Sequence, residues 1–260
     1  MRLSVSKIKA FKSCRRLYEL KYIEGLVPAQ TPESLQIGKS YHELIDWLNK
    51  HGNLDDVEEE HTKAHAMAAA YMKYIYPKFK VVESEKWFEY SLGGNHKLVG
   101  VADAIADDGH IVEHKTTGSE ITEQYEYNLL WDEQILAYML MTGRRKVWYT
   151  VCRKPTIRQR QNETDDAFYE RMVEWYDIDT DAKIRLLEIE RTDDEVAEYK
   201  EELYKMLYVM ICATDFYRNS CHCNMYGRRC EYSSICMHYD KTQEYVEFVK
   251  KEDEYEPAKD

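Results

Sequence analysis

The chain has 260 residues, 44% of them hydrophobic and 32% charged, and a formal net charge of −12. That length and apolar content suffice for one sizeable domain with a core and exclude a chain disordered throughout. No run of about 18 apolar residues occurs, and the start MRLSVSKIKAFKSC has no signal-peptide stretch, so the expectation is a soluble, cytoplasmic protein with no membrane partner.

Ser4 or Ser6 can cap a first helix carrying Ile8, Phe11, Leu17 and Leu20 and running into a turn at Gly25. Residues 34–51 repeat the pattern with a stripe of Ile37, Tyr41, Leu44 and Leu48, and His42 beside it. An Ala-rich stretch from Val57 to Tyr76 predicts a third helix, stopped by Pro77. Three β-like runs follow, Lys86–Leu92, Lys97–Ala106 and His110–Thr116, separated by Gly93-Gly94 and Asp108-Gly109 as an antiparallel meander. Then come a long helix from Glu123 to Met141, a strand Lys146–Cys152, a basic-then-acidic segment, a strand Lys183–Glu190 and a long helix Asp193–Phe216. Residues 241–260 are charged and patternless, and read as a frayed tail. The whole reads as one α/β domain over 1–240, a small mixed sheet flanked by helices. It comprises a helical part (1–80), a core (81–152), an insertion with a strand (153–190), and a long helix with a cysteine region (191–240).

The acidic total hides segregated charge. Residues 1–25 carry seven Lys/Arg against two Glu, residues 143–160 seven Lys/Arg and no acid, and residues 161–182 eight acids against one Arg. The block Arg144, Arg145, Lys146, Arg153, Lys154, Arg158 and Arg160 is therefore a candidate phosphate-facing surface, though charge runs are commonly solvated faces. No GxxxxGK loop is present, so nothing encodes an ATP-driven motor.

Strand alternation singles out three residues. Glu113 and Lys115 are two apart and share a strand face, and Asp103 falls on the face of Val99, Val101 and Ile105 in the preceding strand. An acid among apolar neighbours is costly to bury unless it is paired or binds a cation. Asp103 and Glu113, brought together by a turn at Asp108-Gly109, can hold a hard ion such as Mg²⁺ or Mn²⁺, with Lys115 offsetting charge. Taken alone, D-x(n)-E-x-K is a permissive pattern that an exposed hairpin also satisfies. Seven cysteines in a reducing compartment read as thiols or metal ligands, and four crowd into 221–236. Their spacing fits zinc or an iron-sulfur cluster without choosing between them. Cys152 and Cys212 read as packing residues.

Gly100-Val-Ala-Asp103 followed by Ile111-Val-Glu113-His-Lys115-Thr-Thr117 resembles the GxxD…(D/E)xK core of the PD-(D/E)XK nucleases, in their RecB-like exonuclease branch. Gly38-Lys-Ser-Tyr-His42 resembles the branch's Gly-then-His helix ahead of the core, and Gln134-Ile-Leu-Ala-Tyr138 its Gln-x-x-x-Tyr helix after it. The resemblance spans residues 4–239 and implies metal-activated hydrolysis of DNA. Asp103, Glu113, Lys115, Gln134 and Tyr138 would be catalytic, and His42 a further ligand to the Mg²⁺ or Mn²⁺ at Asp103 and Glu113. Glu85 falls where relatives often carry an acid.

A subset of that branch closes the domain with a four-iron (4Fe-4S) cluster on one N-terminal and three C-terminal cysteines. The resemblance assigns Cys14, Cys223, Cys230 and Cys236 to that role, with Cys221 open as an alternative to Cys223. Arg15 stands where relatives commonly have Pro. The function implied is a phage or prophage exonuclease resecting DNA ends for recombination or repair, with a recombination or repair protein as a possible partner. A CRISPR-adaptation end-trimming nuclease is the alternative, and a non-catalytic DNA-binding or assembly subunit is the alternative of another class.

Overall fold

The computed structural model describes residues 1–55, 57, 61–225, 228–237 and 248–251. The sequence reading treats 1–240 as one domain, whereas the chain packs as two compact units, Met1–Pro32 with Glu201–Asp260, and Glu33–Lys200.

In the first unit, Arg2–Leu3 (β1) leads to α1 (Val5–Ser13), whose Ser4 cap accepts the Lys7 N–H at 3.3 Å. The predicted single helix breaks at Cys14, which is extended at φ −160, and resumes as α2 (Arg15–Tyr18) with a π-helical continuation Glu19–Ile23. β2 (Leu26–Pro28) pairs antiparallel with a late strand, Phe248–Lys250, so three residues of the expected tail are ordered against it. The remaining tail residues, 241–247 and 252–260, lie outside the described residues. A small core of Leu20, Leu26, Tyr232, Ile235 and Phe248 holds this unit, and the Tyr232 hydroxyl donates to the Leu26 carbonyl at 2.7 Å.

The second unit opens with α3 (Glu33–His51), where Ile37, Tyr41, Leu44 and Leu48 are all buried as the stripe predicts. α4 (Thr62–Tyr74) presents Ala64, Met67, Ala68 and Tyr71 to it and ends before the 3-10 turn that contains Pro77. The strands β3 (Val81–Ser91), β4 (Lys97–Ala106) and β5 (Ile111–Thr117) form the expected antiparallel meander. The predicted helix Glu123–Met141 is two helices, α5 (Glu123–Leu129) and α6 (Glu133–Thr142), because Asp132 leaves helical geometry and caps the second. β6 (Lys146–Arg153) then pairs parallel with β5, α7 (Asp165–Asp177) follows, and β7 (Ile184–Glu190) pairs antiparallel with β6. α8 (Asp193–Ile211) leads out and stops five residues short of the expected Phe216.

The sheet order β3-β4-β5-β6-β7 makes a mixed sheet with apolar layers on both faces. Ile111, Val147, Tyr149 and Val151 face α6 through Ile135, Tyr138 and Met139, while Cys152 and Ile184 join the layer of α3, α4 and Tyr176. This is the α/β architecture expected, a mixed sheet flanked by helices. Among the described residues no helix is long and apolar enough to cross a membrane.

Candidate active site

The site grows from a kink shared by two strands. β4 pairs with β5 only at Ala104↔Val112 and Ile105↔Ile111. Beyond that the strands part, and Asp103 Oδ2 accepts the His114 backbone N–H at 2.6 Å in place of a ladder bond. On its other side, Ser84↔Ala104 and Lys86↔Ala102 bracket Glu85 opposite Asp103. Glu85 adopts φ +50, a left-handed conformation that a non-glycine residue holds only at a cost offset by its surroundings. Across the kink the alternation that put Val99, Val101 and Ile105 on one face does not hold. Before it Gly100 and Ala102 face α6, and after it Ile105 does.

β5 behaves as alternation predicts. Glu113 and Lys115 point to the α6 face, while His114 lies on the other face with Nδ1 2.6 Å from Thr150 Oγ1 and its ring edge-on to Tyr71. Lys115 Nζ donates to Glu113 Oε1 at 2.7 Å and Gln134 Oε1 at 2.8 Å, and lies 3.5 Å from Asp132 Oδ2. Gln134 Nε2 donates to the Tyr138 hydroxyl at 2.7 Å, which in turn donates to the Val101 carbonyl. One helical turn between Gln134 and Tyr138 thus fixes the amide so that its oxygen faces the ammonium. Gly100 permits this packing, since a Cβ there would lie 3.2 Å from the Tyr138 ring and 3.1 Å from Met141 Cε. His42, on α3, brings Nδ1 to 3.4 Å from Asp103 Oδ1. Gly38, one turn earlier, leaves room for Thr116 Oγ1, which a Cβ would meet at 3.2 Å.

The charges in this site shift one another. Burial lifts Glu113 well above the ordinary carboxylate range, and the Asp103 charge adds to this, while the charge and hydrogen bond of Lys115 and the charge of His42 oppose it. Asp103 moves down instead, because burial is outweighed by the hydrogen bond and charge of His42 and by His114. Burial works against charge on His42, but Asp103, Glu113 and Glu85 raise it overall. Burial likewise opposes the Lys115 ammonium, and Glu113 with Asp132 more than restores it, to about 12. His114, sealed in the interior, is pushed down to about 4. Glu85 is raised by its own burial and by Asp103.

Among the described residues no three His, Cys, Asp or Glu side chains stand close enough to enclose an ion together. The donor set nevertheless fits a hard cation, because Glu113 Oε2 is buried with no hydrogen-bond partner, next to the Asp103 carboxylate. The basic block does not form one surface. Arg144, Arg145 and Lys146 lie at the start of β6, with Arg145 on Asp193 at 2.6 Å and Lys146 on Glu188 at 3.2 Å. Arg153 ends the strand, about 23 Å along it, and Lys154 follows, its N–H joining the Thr117 carbonyl at 2.8 Å. Arg158 and Arg160 follow in an exposed loop whose backbone is tied by Arg171 and Glu163.

In the other unit the Cys230 N–H donates to the Cys223 carbonyl at 2.9 Å, and the Asn219 N–H approaches Cys14 Sγ at 3.4 Å. Burial raises the thiol pKa values of Cys230 and Cys236, and both also feel Cys14 and Cys223. Cys221 is exposed, and its N–H is taken by the Asn219 side chain at 3.2 Å. Tyr226 and Gly227 of the cysteine motif lie outside the described residues. Cys152 is buried as expected, but Cys212, expected in the core of a helix, is exposed just beyond the end of α8.

Sequence reasoning missed Asp132 and Tyr149. Asp132 Oδ1 caps α6 at the Gln134 N–H (3.1 Å), and Oδ2 accepts from the buried Tyr149 hydroxyl (2.9 Å) beside Lys115. An Asp two residues before the Gln of a Gln-x-x-x-Tyr helix is itself a cap signal, concealed by reading one helix through it.

The family model of the PD-(D/E)XK nuclease superfamily matches residues 2–237, and the chain belongs to that superfamily. It is a nuclease by family. No curated relative matches the sequence. Among solved structures, a putative exonuclease from Eubacterium rectale is similar at 16% identity and TM-score 0.52, covering 91% of this chain and 93% of that one. An alkaline exonuclease from Laribacter hongkongensis is similar at 14% identity and TM-score 0.38, over 81% and 88% of the two chains. A phage related exonuclease from Haemophilus somnus 129PT follows at 13% identity and TM-score 0.37, over 75% and 94%.

Proposed function

We propose that this chain is a divalent-metal-dependent deoxyribonuclease that removes nucleotides from DNA ends, with Asp103, Glu113 and Lys115 as its catalytic residues. The observation that carries the reading is Glu113, buried beside Asp103, with one oxygen on Lys115 and the other without a hydrogen-bond partner. An unpartnered buried carboxylate oxygen costs on the order of 1–3 kcal/mol, and a cation removes that cost. Mg²⁺ or Mn²⁺ suits the Asp103 and Glu113 oxygens, with His42 a further donor. When bound, the ion supplies a more acidic water and neutralises charge on the scissile phosphate.

The chain's own groups do the rest. Lys115 holds a full positive charge at the place where negative charge grows on the phosphate, and Glu113, Gln134 and Asp132 hold it in place. Gln134 and Tyr138 position the ammonium. His42 keeps Asp103 ionised. The end-directed mode takes support from the name of the Eubacterium rectale structure, a putative exonuclease. End resection in phage or prophage recombination or repair, in the host cytoplasm, is the setting proposed.

We further assign Cys14, Cys223, Cys230 and Cys236 to a 4Fe-4S cluster that staples residue 14 to the chain past 220, with Cys221 as the alternative to Cys223. That Cys230 and Cys236 both feel Cys14 and Cys223, and that the Cys230 N–H donates to the Cys223 carbonyl at 2.9 Å, supports this set over Cys221. The nuclease reading is tested with end-labelled linear DNA and anaerobically purified protein in Mn²⁺, Mg²⁺ or EDTA. Metal-dependent loss of label is expected, abolished in Glu113→Gln. A folded, iron-loaded wild type that leaves the DNA whole in both metals refutes it.

A further inference from the structure

In the unit formed by Met1–Pro32 and Glu201–Asp260, a cleft of about 420 Å³ is lined by three cations, Lys12, Arg15 and Arg218, the last donating to the Cys236 carbonyl at 3.2 Å. In a chain of net charge −12 such a concentration of positive charge favours an anion. The Arg15 guanidinium sits 5.0 Å from the ring centroids of both Phe11 and Tyr217. Stacking on ring faces leaves the guanidinium's edge, where its donors lie, for a planar or tetrahedral oxyanion.

The walls are fixed before any ligand arrives. Asn219 Nδ2 donates to the Ser13 carbonyl at 2.7 Å, and the Arg16 N–H donates to the Tyr217 carbonyl at 3.1 Å, tying the loop of residues 217–219 to the break between α1 and α2. A preformed site loses little entropy on binding. Tyr217 itself remains 60% exposed, an aromatic surface beside the cations. A phosphate site adjoining an aromatic ring matches one nucleotide of an unpaired strand, because a base in a duplex has its faces covered by its neighbours.

We propose that this cleft binds one nucleotide of a single strand, its phosphate among Lys12, Arg15 and Arg218 and its base on Tyr217. The inference deepens the nuclease reading and rests on it for the identity of the polymer. The phosphate chemistry is shared by a DNA strand and a free phosphate, and the strand is the assignment made.

The test is fluorescence anisotropy of a labelled single-stranded oligonucleotide and a blunt duplex, with the full chain in EDTA, across a salt series. Lys12→Gln with Arg218→Gln is expected to weaken single-strand binding about 10-fold and to flatten the slope of log K against log salt by about 0.7, one phosphate contact. Tyr217→Ala is expected to weaken it roughly 5- to 100-fold at unchanged slope, with a smaller effect on the duplex. Arg15→Gln should behave like the charge-removing pair, and Arg15→Lys should restore the slope, which separates lost charge from a damaged fold. Unchanged binding in variants with native circular dichroism overturns the proposal, as does an equal loss for single strand and duplex. Displacement of the oligonucleotide by millimolar inorganic phosphate at constant ionic strength, absent in the double variant, reassigns the cleft to free phosphate and also overturns it. Failure of the nuclease reading looks different: a wild type that binds strands but cuts none when metal is supplied.

Discussion

Asp132 is the residue whose loss best tests how the site is held together. It performs three tasks at once, capping α6 at the Gln134 N–H (3.1 Å), accepting from the Tyr149 hydroxyl (2.9 Å) and standing 3.5 Å from the Lys115 ammonium. Asp132→Ala removes the cap, worth about 1 kcal/mol. It also strands the hydroxyl of Tyr149, a residue with 0% exposure, at about 1–3 kcal/mol. The sum of roughly 2–4 kcal/mol corresponds to a melting temperature lower by about 5–15 °C in a domain of this size. Asp132→Asn keeps the shape but has a single carbonyl oxygen, which can cap α6 or accept from Tyr149 but not both, so about half that loss is expected. The asparagine also leaves Lys115 without one of its two acidic neighbours, and cleavage should fall further than stability does. Thermal unfolding by circular dichroism, paired with end-label release rates, measures both. An Asp132→Ala protein melting within about 1 °C of wild type would refute the reasoning, because it would mean Tyr149 and the helix end find other partners at no cost.

Stability should depend on pH through His114, whose pKa in the fold is pushed down to about 4 by burial. Between that value and the ordinary 6.5 the unfolded chain binds the extra proton. This stabilisation is therefore full above about 6.5 and is lost as pH falls towards 4, on the order of 3 kcal/mol in all. His42, shifted upward, acts with the opposite sign. Urea unfolding at pH 7 and pH 5 in EDTA, compared with His114→Gln, isolates the His114 share as the part of the slope that disappears. Gly100→Ala would put a Cβ 3.2 Å from the Tyr138 ring, displacing α6 at a cost of about 1–3 kcal/mol. It should also slow cleavage by shifting Gln134, as melting and rate measurements on one preparation would reveal. Cys230→Ala should lose both iron and visible absorbance and melt earlier, whereas a variant that keeps its absorbance removes Cys230 from the ligand set.

The parts of the site that were legible in the sequence are those set by short periods. Glu113 and Lys115 share a face because a strand repeats every two residues, and Gln134 and Tyr138 meet because a helix repeats every 3.6. Asp103 was found for its chemistry, but the single face that alternation gave to Val99, Val101 and Ile105 does not survive the kink, where Ile105 joins Ala102 in the layer under α6. A left-handed Glu85 has no local sequence signal, because its conformation is imposed by the strands and helix around it rather than by its own preference. Asp132 was hidden for a related reason. The apolar period continues through residues 123–141, and only the cap geometry shows that the helix restarts. The division into two units was illegible as well, because Met1–Pro32 and Glu201–Asp260 are far apart in sequence.

The charge balance of the site explains why Glu113, rather than another acid, retains the unpartnered oxygen. Folding gathers Glu85, Asp103, Glu113 and Asp132 around two basic side chains, His42 and Lys115. Like charges at such spacing do not ionise independently, so each acid depends on its local donors. Asp103 has His42 and a backbone N–H, and Asp132 has Tyr149 and the start of α6. Glu85 is half-open to solvent at the strand kink. Glu113 alone is both fully enclosed and served by a single donor, Lys115, which it shares with Asp132 and Gln134. The surplus negative charge therefore settles on Glu113, which feels the Asp103 charge and keeps one oxygen without a partner, so an added cation relieves repulsion there. In the absence of metal a proton does the same task, which is why burial and Asp103 push Glu113 up while Asp103 itself moves down. A fold selected for stability alone would place a neutral side chain there. Retaining the carboxylate makes physical sense for a chain that must present a cation to a phosphate.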